Sequence, residues 1–269
     1  MPRNLGDVAD YFLPRAGAAD PASRRERAQP GRPPTRVERP AALPIVAVPV
    51  GDRDVLRAAF AWNLAVEIAR LGASAALLAP EDEEPSPLWP ESGPGPVGIE
   101  VALTPAKGLP DLARAALDLA VSRAAESEAG GLVLVRVPPA WLAGASDARA
   151  LLRWVLLFTA GEPRDLLEAY ALAKAVLARH PDARVGVTVH AVRRLGDAER
   201  AFRSLAAAAA RHLGRSVVSY GLLVDDLHVY RGIVARRPIG LEHPQSRAAR
   251  ALRDVARLLL DDARRGPVD

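Results

Sequence analysis

Residues 45 to 81, IVAVPVGDRDVLRAAFAWNLAVEIARLGASAALLAPE, constrain this chain more than any other stretch. An apolar run from Ile45 to Val50 meets Gly51, and a segment of helical period follows, carrying Leu56, Ala59, Phe60, Asn63, Leu64, Val66 and Ile68. A second apolar run spans Ala73 to Ala79. Two continuous apolar runs bracketing a helix predict a parallel, right-handed β-α-β unit, and hence an α/β fold.

Gly51, Val55, Ala61, Asn63, Leu64 and Ala65 fall in register with the opening of the MinD/ParA family of P-loop ATPases, which reads roughly SGKGGVGKTTVAANLA. The segment resembles that element while lacking its chemistry. The family's first lysine falls on Asp52, its next two glycines on Arg53 and Asp54, its third glycine on Leu56, its phosphate-binding lysine on Arg57 and its threonines on Ala58 and Ala59. A phosphate cradle needs glycines so that backbone N–H groups can turn toward the oxygens, and this loop keeps one. Ala58 has no hydroxyl for Mg²⁺, and Arg57 keeps the charge but not the compact ammonium. Asp52 and Asp54 place carboxylates where a triphosphate would sit. The chain's two lysines, Lys107 and Lys174, are far from the loop in sequence.

At 269 residues and 28.6 kDa the chain suits one large α/β domain rather than two. Apolar residues make up 49% but aromatics only 4%, so Leu, Val, Ile and Ala must build the core. The pI of about 9.9 reflects arginine, whereas the net charge of +4 is modest, so nucleic acid is not the expected partner. Arg193, Arg194, Arg236 and Arg237 read either as solvated charge among balanced acids or as a basic, DNA-binding face. With no cysteines, disulfides and thiolate chemistry are excluded. No run approaches the roughly 18 apolar residues of a membrane span, and no secretory signal is evident, so the cytoplasm is expected.

Ahead of the domain, residues 1–14 place Leu5, Val8 and Phe12 at helical spacing, with Tyr11 beside them, before Pro14 ends the pattern. Leu5, Val8, Tyr11 and Phe12 form a short amphipathic peptide, read either as docking into a partner's groove or as lying on its own domain. Residues 15–42, rich in Arg, Pro and Ala without periodicity, read as a disordered tether, and 43–265 as the α/β domain.

Beyond Pro80 a Pro- and Glu-rich segment leads to a third strand over Val97–Leu103, with Glu81 either a displaced acid or a solvated loop charge. A helix follows over Leu109–Ala125. Gly131 to Val137 with Pro138-Pro139 resembles the family's fourth strand and switch, whose Mg²⁺-shell aspartate falls on Arg136. A cation there opposes metal binding, and pairing of Arg136 with Asp52 or Asp54 would fill the vacated space.

From Leu151 the resemblance narrows to flagellar number and placement regulators of the FlhG/FleN type. Gly161-Glu162-Pro163 resembles their x-Glu-Pro turn, and Asp165 to Leu177 resembles their (S/T)(I/L)xDAYAL(I/L)K helix, with Leu166, Tyr170, Ala173 and Leu177 expected to be buried. A strand is expected over Arg184–His190, where His190 replaces an asparagine that contacts the base in the family; it reads as a hydrogen-bonded surface residue or as a ligand. A helix over Glu199–His212, a strand over Val217–Leu223 and a closing helix bearing Ala248, Leu252, Val255 and Leu259 complete the pattern. No separate membrane-targeting helix is expected after it.

The resemblance implies a three-layer P-loop NTPase-like fold of the SIMIBI/MinD type, with a mostly parallel central sheet flanked by helices. It implies an ATP hydrolase, but the nucleotide-site positions Gly51, Asp52, Arg57, Ala58, Arg136 and His190, all but Gly51 altered, predict an inactive nucleotide site, no metal and no catalytic residue. No cofactor is then expected; ATP with Mg²⁺ is expected if a divergent switch still binds through Arg57 and dimerises. Partners would be proteins: an active MinD/ParA-like paralogue, a flagellar or polar factor, or a second copy.

Overall fold

The computed structural model describes residues 3–7, 41–51, 53–81, 91–144 and 148–266. Val8, Tyr11, Phe12 and most of the expected tether lie outside them. The expected β-α-β unit is β1 (Ile45–Pro49), α1 (Val55–Arg70) and β2 (Ser74–Pro80). Next come a short β3 (Gly93–Pro94), β4 (Glu100–Thr104), α2 (Leu109–Glu126), β5 (Gly131–Val137) and a one-turn α3 (Arg149–Leu152). The second half alternates β6 (Trp154–Thr159), α4 (Pro163–Leu177), β7 (Arg184–Val192), α5 (Leu195–Leu213) and β8 (Val218–Val224), and closes with α6 (Leu227–Ala235), α7 (Ile239–Glu242) and α8 (Arg247–Arg265).

The strands form one sheet in the order β3-β4-β2-β5-β1-β6-β7-β8. All pairs are parallel except β3 with β4. The chain steps from β1 outward to β2 and later from β6 outward to β8 in the other direction. Right-handed crossovers therefore put α1 and α4 on opposite faces, and the two directions diverge at β1. Helices α1 and α8 pack together on one face, α4 and α5 on the other, with the sheet between them. Strands β5 and β6 are buried along their whole length, which is why their sequences run apolar without alternation.

Several elements differ from the sequence reading: β7 runs on to Val192 past the expected end at His190, and α5 starts at Leu195 instead of Glu199. The third strand begins at Glu100 instead of Val97, because Pro96–Gly98 forms a tight 3-10 turn in which Val97 takes a left-handed φ of 52°. In α4 the buried positions are Ala169, Ala173, Val176 and Leu177, while Leu166 and Tyr170 are only half-buried. The small alanines let the helix sit close to the sheet, so its larger side chains are displaced to the flanks.

The junction of β7 and β8 carries two irregularities. Val187 pairs with Ser219 and Val189 with Leu222, so β8 holds an extra residue around Tyr220-Gly221; then Val192 pairs with Val224, so β7 holds an extra residue around His190-Ala191. The two bulges restore the register, at the cost of a left-handed φ of 56° at Ala191.

Candidate functional site

The C-terminal ends of β1, β6 and β7 meet the N-terminus of α1 where the strand order reverses, the place where open α/β sheets form their crevice. A helix N-terminus there offers unpaired N–H groups and a partial positive charge. In this chain both are answered from within. Asp54 is the N-cap of α1, and its carboxylate accepts the backbone N–H of Arg57 at 3.0 Å. The anion at the head of the helix is thus a side chain of the same loop.

Arg57 points back over that carboxylate. Its Nε lies 3.2 Å from Asp54, and one terminal nitrogen lies 2.9 Å from Glu168 and 3.5 Å from Asp165. Glu168 and Asp165 stand one turn apart on α4, so the pairing crosses the top of the sheet from one helical layer to the other. Only 8% of Arg57 is exposed. Burial works against its charge, but the hydrogen bond to Glu168 and the fields of Asp54 and Asp165 outweigh this and raise its pKa above the ordinary guanidinium value. Three carboxylates around one guanidinium leave a net negative cluster that repels a polyanion.

His190 lies beneath this cluster, its ring 5.5 Å from that of Phe60, which packs equally near Phe158. The expectation of a hydrogen-bonded surface histidine is corrected: His190 is 7% exposed, and neither ring nitrogen has a hydrogen-bond partner. Every residue from Val185 to His190 is buried, and His190 follows Thr188 on the same face, so the imidazole is enclosed at the end of β7. Burial first, and the Arg57 charge second, push its pKa down to about 4 against the pull of Asp54, Asp165 and Glu168. It is therefore a neutral ring at physiological pH. The Thr188 hydroxyl, two residues earlier on the same face, is likewise buried and unpaired.

Arg136, 3% exposed at the end of β5, donates to the Pro80 carbonyl of neighbouring β2 at 3.3 Å. Its expected pairing with Asp54 does not occur, since Asp54 is engaged by Arg57, and Asp52 lies outside the described residues. Gly51 is half-buried, and a Cβ there would meet nothing within 4 Å, so no close approach of the backbone requires glycine. Ala58 is buried in α1 and presents only a methyl group. The residues that sequence reasoning missed are Asp165 and Glu168 as partners of Arg57. Their i,i+3 spacing was visible in the sequence, but nothing there places them opposite Arg57.

The four expected partner-binding residues are not brought together. Leu5 is 2% exposed and inserted into the chain's own core, which corrects its assignment to a partner, and the other three lie outside the described residues. Among the described residues no group of His, Asp and Glu side chains is arranged to hold a metal ion, and no helix is long and apolar enough to cross a membrane.

No family profile matches the sequence, and no curated protein matches it. Solved structures do match. The MinC:MinD cell division protein complex of Aquifex aeolicus has a TM-score of 0.56 at 14% identity, covering 81% of this chain and 96% of that one. A ParA family ATPase from Chlorobium tepidum TLS gives 0.55 at 12% identity, covering 82% and 100%. The septum site-determining protein MinD of Pyrococcus horikoshii OT3, complexed with Mg-ADP, gives 0.55 at 12% identity, covering 80% and 95%. At these identities the likeness establishes the fold, the α/β architecture of the MinD/ParA P-loop ATPases.

Proposed function

We propose that this chain is a MinD/FlhG-like protein that has given up nucleotide chemistry and works as a scaffold or regulator in a bacterial spatial-organisation system, flagellar or of another polar or cell-positioning kind. The observation that carries this reading is the self-satisfied head of α1. Asp54 takes the helix N–H that a phosphate would need, and Arg57 is held by Asp54, Asp165 and Glu168. Mg-polyphosphate would have to displace a charge-assisted network while approaching net negative charge. Arg136, where the resemblance places a metal-shell aspartate, argues in the same direction.

Protein contacts are then the function. Leu227, Tyr230 and Val234 form an exposed apolar stripe on α6, and Leu241 of α7 is exposed as well. That surface suits a protein partner: an active MinD/ParA-like paralogue, a polar or flagellar factor, or a second copy, as MinD of Aquifex aeolicus has MinC. The proposed location is the cytoplasm, with neither nucleic acid nor bilayer insertion required.

A second reading, a divergent switch that binds ATP through Arg57 and dimerises, is favoured by one observation: Arg57 keeps a cation in the first turn of α1. Calorimetric titration with Mg-ATP and Mg-ADP separates the two. We expect no heat at concentrations able to detect a Kd of about 1 mM, roughly −4 kcal/mol. Micromolar binding that Arg57→Ala abolishes would overturn the scaffold reading and restore the switch.

A further inference from the structure

At the opposite end of the sheet the chain's first described residues pair with its last strand. The Arg3 carbonyl accepts the backbone N–H of Ser219 at 3.0 Å, and Arg3 Nε donates to the Ser219 carbonyl at 3.0 Å. Both main-chain groups of Ser219 thus face outward from β8, which ends the sheet on this side. Such an edge is a template for an added strand. The Arg3 guanidinium then reaches Asp262 of α8 at 2.6 Å and lies 4.9 Å above the Tyr220 ring. Leu5 inserts into the core, and Asn4 and Asp7 exchange reciprocal backbone caps at 2.8 and 3.0 Å, starting a helical turn that turns the chain away from the edge.

Two features make this contact exchangeable. Asp262 does not depend on Arg3 alone: it also accepts the Tyr220 hydroxyl at 2.7 Å, and Arg184 and Arg265 pair with it. Withdrawing residues 3–7 therefore leaves no stranded buried charge. The second feature is reach. Arg3 sits one strand step outside β8, four steps or about 19 Å from β1 where the domain begins. The connector, residues 8–40, spans up to about 110 Å when fully extended. A neighbouring molecule's edge lies within its range as readily as its own.

We propose that the outer edge of β8, with Asp262 behind it, is an acceptor site for an Arg-x-Leu segment, and that it exchanges the chain's own residues 3–7 for those of a second copy to give a segment-exchanged dimer. This is independent of the nucleotide question, since the acceptor lies at the other end of the strands. The recognition is specific in three ways: main-chain pairing to Ser219, a guanidinium on Asp262 and an apolar side chain two residues on.

Two experiments on the whole chain test it. In the first, a protease site is inserted within residues 15–35, the full-length protein is cut, and a fluorescent peptide of residues 1–14 is added. We expect the peptide to enter the cut protein, to bind at least tenfold less well with Arg3→Ala or Leu5→Ala, and to be taken up at least tenfold less by uncut protein. No uptake, or equal uptake of the three peptides, overturns the acceptor site. In the second, residues 8–40 are replaced by two residues, which hold the Asp7 and Ala41 Cα atoms within about 11 Å and prevent closure on the same molecule. Light scattering should then find a dimer that Arg3→Glu returns to a monomer. A monomeric short-connector chain overturns the exchange; if that variant fails to fold, the cut-chain measurement still decides.

Discussion

The two ends of the sheet hold charge clusters of opposite design. At the C-terminal ends of the strands one buried cation, Arg57, is surrounded by three carboxylates that remain 30 to 45% exposed as side chains. At the N-terminal ends one buried anion, Asp262, is surrounded by three arginines and a tyrosine and is itself 3% exposed. The first cluster sits in a crevice that the topology creates whatever the sequence does, and it fills that crevice with side chains from two helical layers. The second lies where the topology leaves no crevice, and it anchors the chain's N-terminus and last helix to β8. A Cβ at Gly186 would come within 2.3 Å of the Tyr220 ring, so the second cluster is also closed by packing. The lesson is that a cluster of exposed carboxylates around one cation answers a geometric vacancy, whereas a buried anion shared by several arginines ties separate elements together and outlasts the loss of any one of them.

Substitutions test that contrast. Asp262→Asn should have the largest effect, about 3–5 kcal/mol lost in urea unfolding, because the arginines lose the buried charge that compensates them. Next comes His190. Its pKa of about 4 lies below the ordinary 6.5, so between those values the unfolded chain binds a proton that the folded one refuses. Its contribution is intact above pH 6.5 and lost as the pH falls toward 4, by about 3 kcal/mol in all. The difference in stability between the wild type and His190→Gln, followed from pH 7 to 4, should change by that amount. Arg57→Ala should cost about 2 kcal/mol at low salt, since three like charges are left facing one another. High salt should shrink that deficit, whereas it should leave the Asp262→Asn deficit unchanged. The smallest effect belongs to the cap: Asp54→Ala should cost about 1 kcal/mol, and Asp54→Asn, which retains an accepting oxygen, only a few tenths. If Arg57→Ala proves as costly as Asp262→Asn, the contrast between a cluster with exposed carboxylates and one built on a buried anion fails.

What sequence reasoning reached and missed follows the same physical line. Gly131–Val137 and Pro163–Leu177 were legible because a buried parallel strand and an amphipathic helix each carry their signal locally. The helix Leu227–Ala235 was not, because its exposed face bears Leu227, Tyr230 and Val234 and no polar stripe marks it. The altered positions around Gly51 were visible as letters, but their resolution was not: the partner of Arg57 lies more than a hundred residues away on the other face of the sheet. His190 was misread because its burial depends on Phe60 of α1, which tertiary packing alone brings against the end of β7. Leu5 was ambiguous for a simpler reason, since an apolar stripe is the same whether it covers a partner or its own domain.

Glu67 draws these threads onto α1. It is 1% exposed, pairs with Arg70 on its own helix and with Arg253 of α8 at 3.1 Å, and lies so close to Gly240 that a Cβ there would come within 1.7 Å of its Oε1. One turn earlier, Asn63 accepts the Ile239 N–H at 2.8 Å. The helix whose head would sense a nucleotide is thus bolted at its waist to the closing segment of the chain. These buried contacts tie the helix and the closing segment into one packed unit. On the scaffold reading, what remains for a cell to adjust is the number and address of these molecules, so that the chain acts as a counted part instead of a moving one.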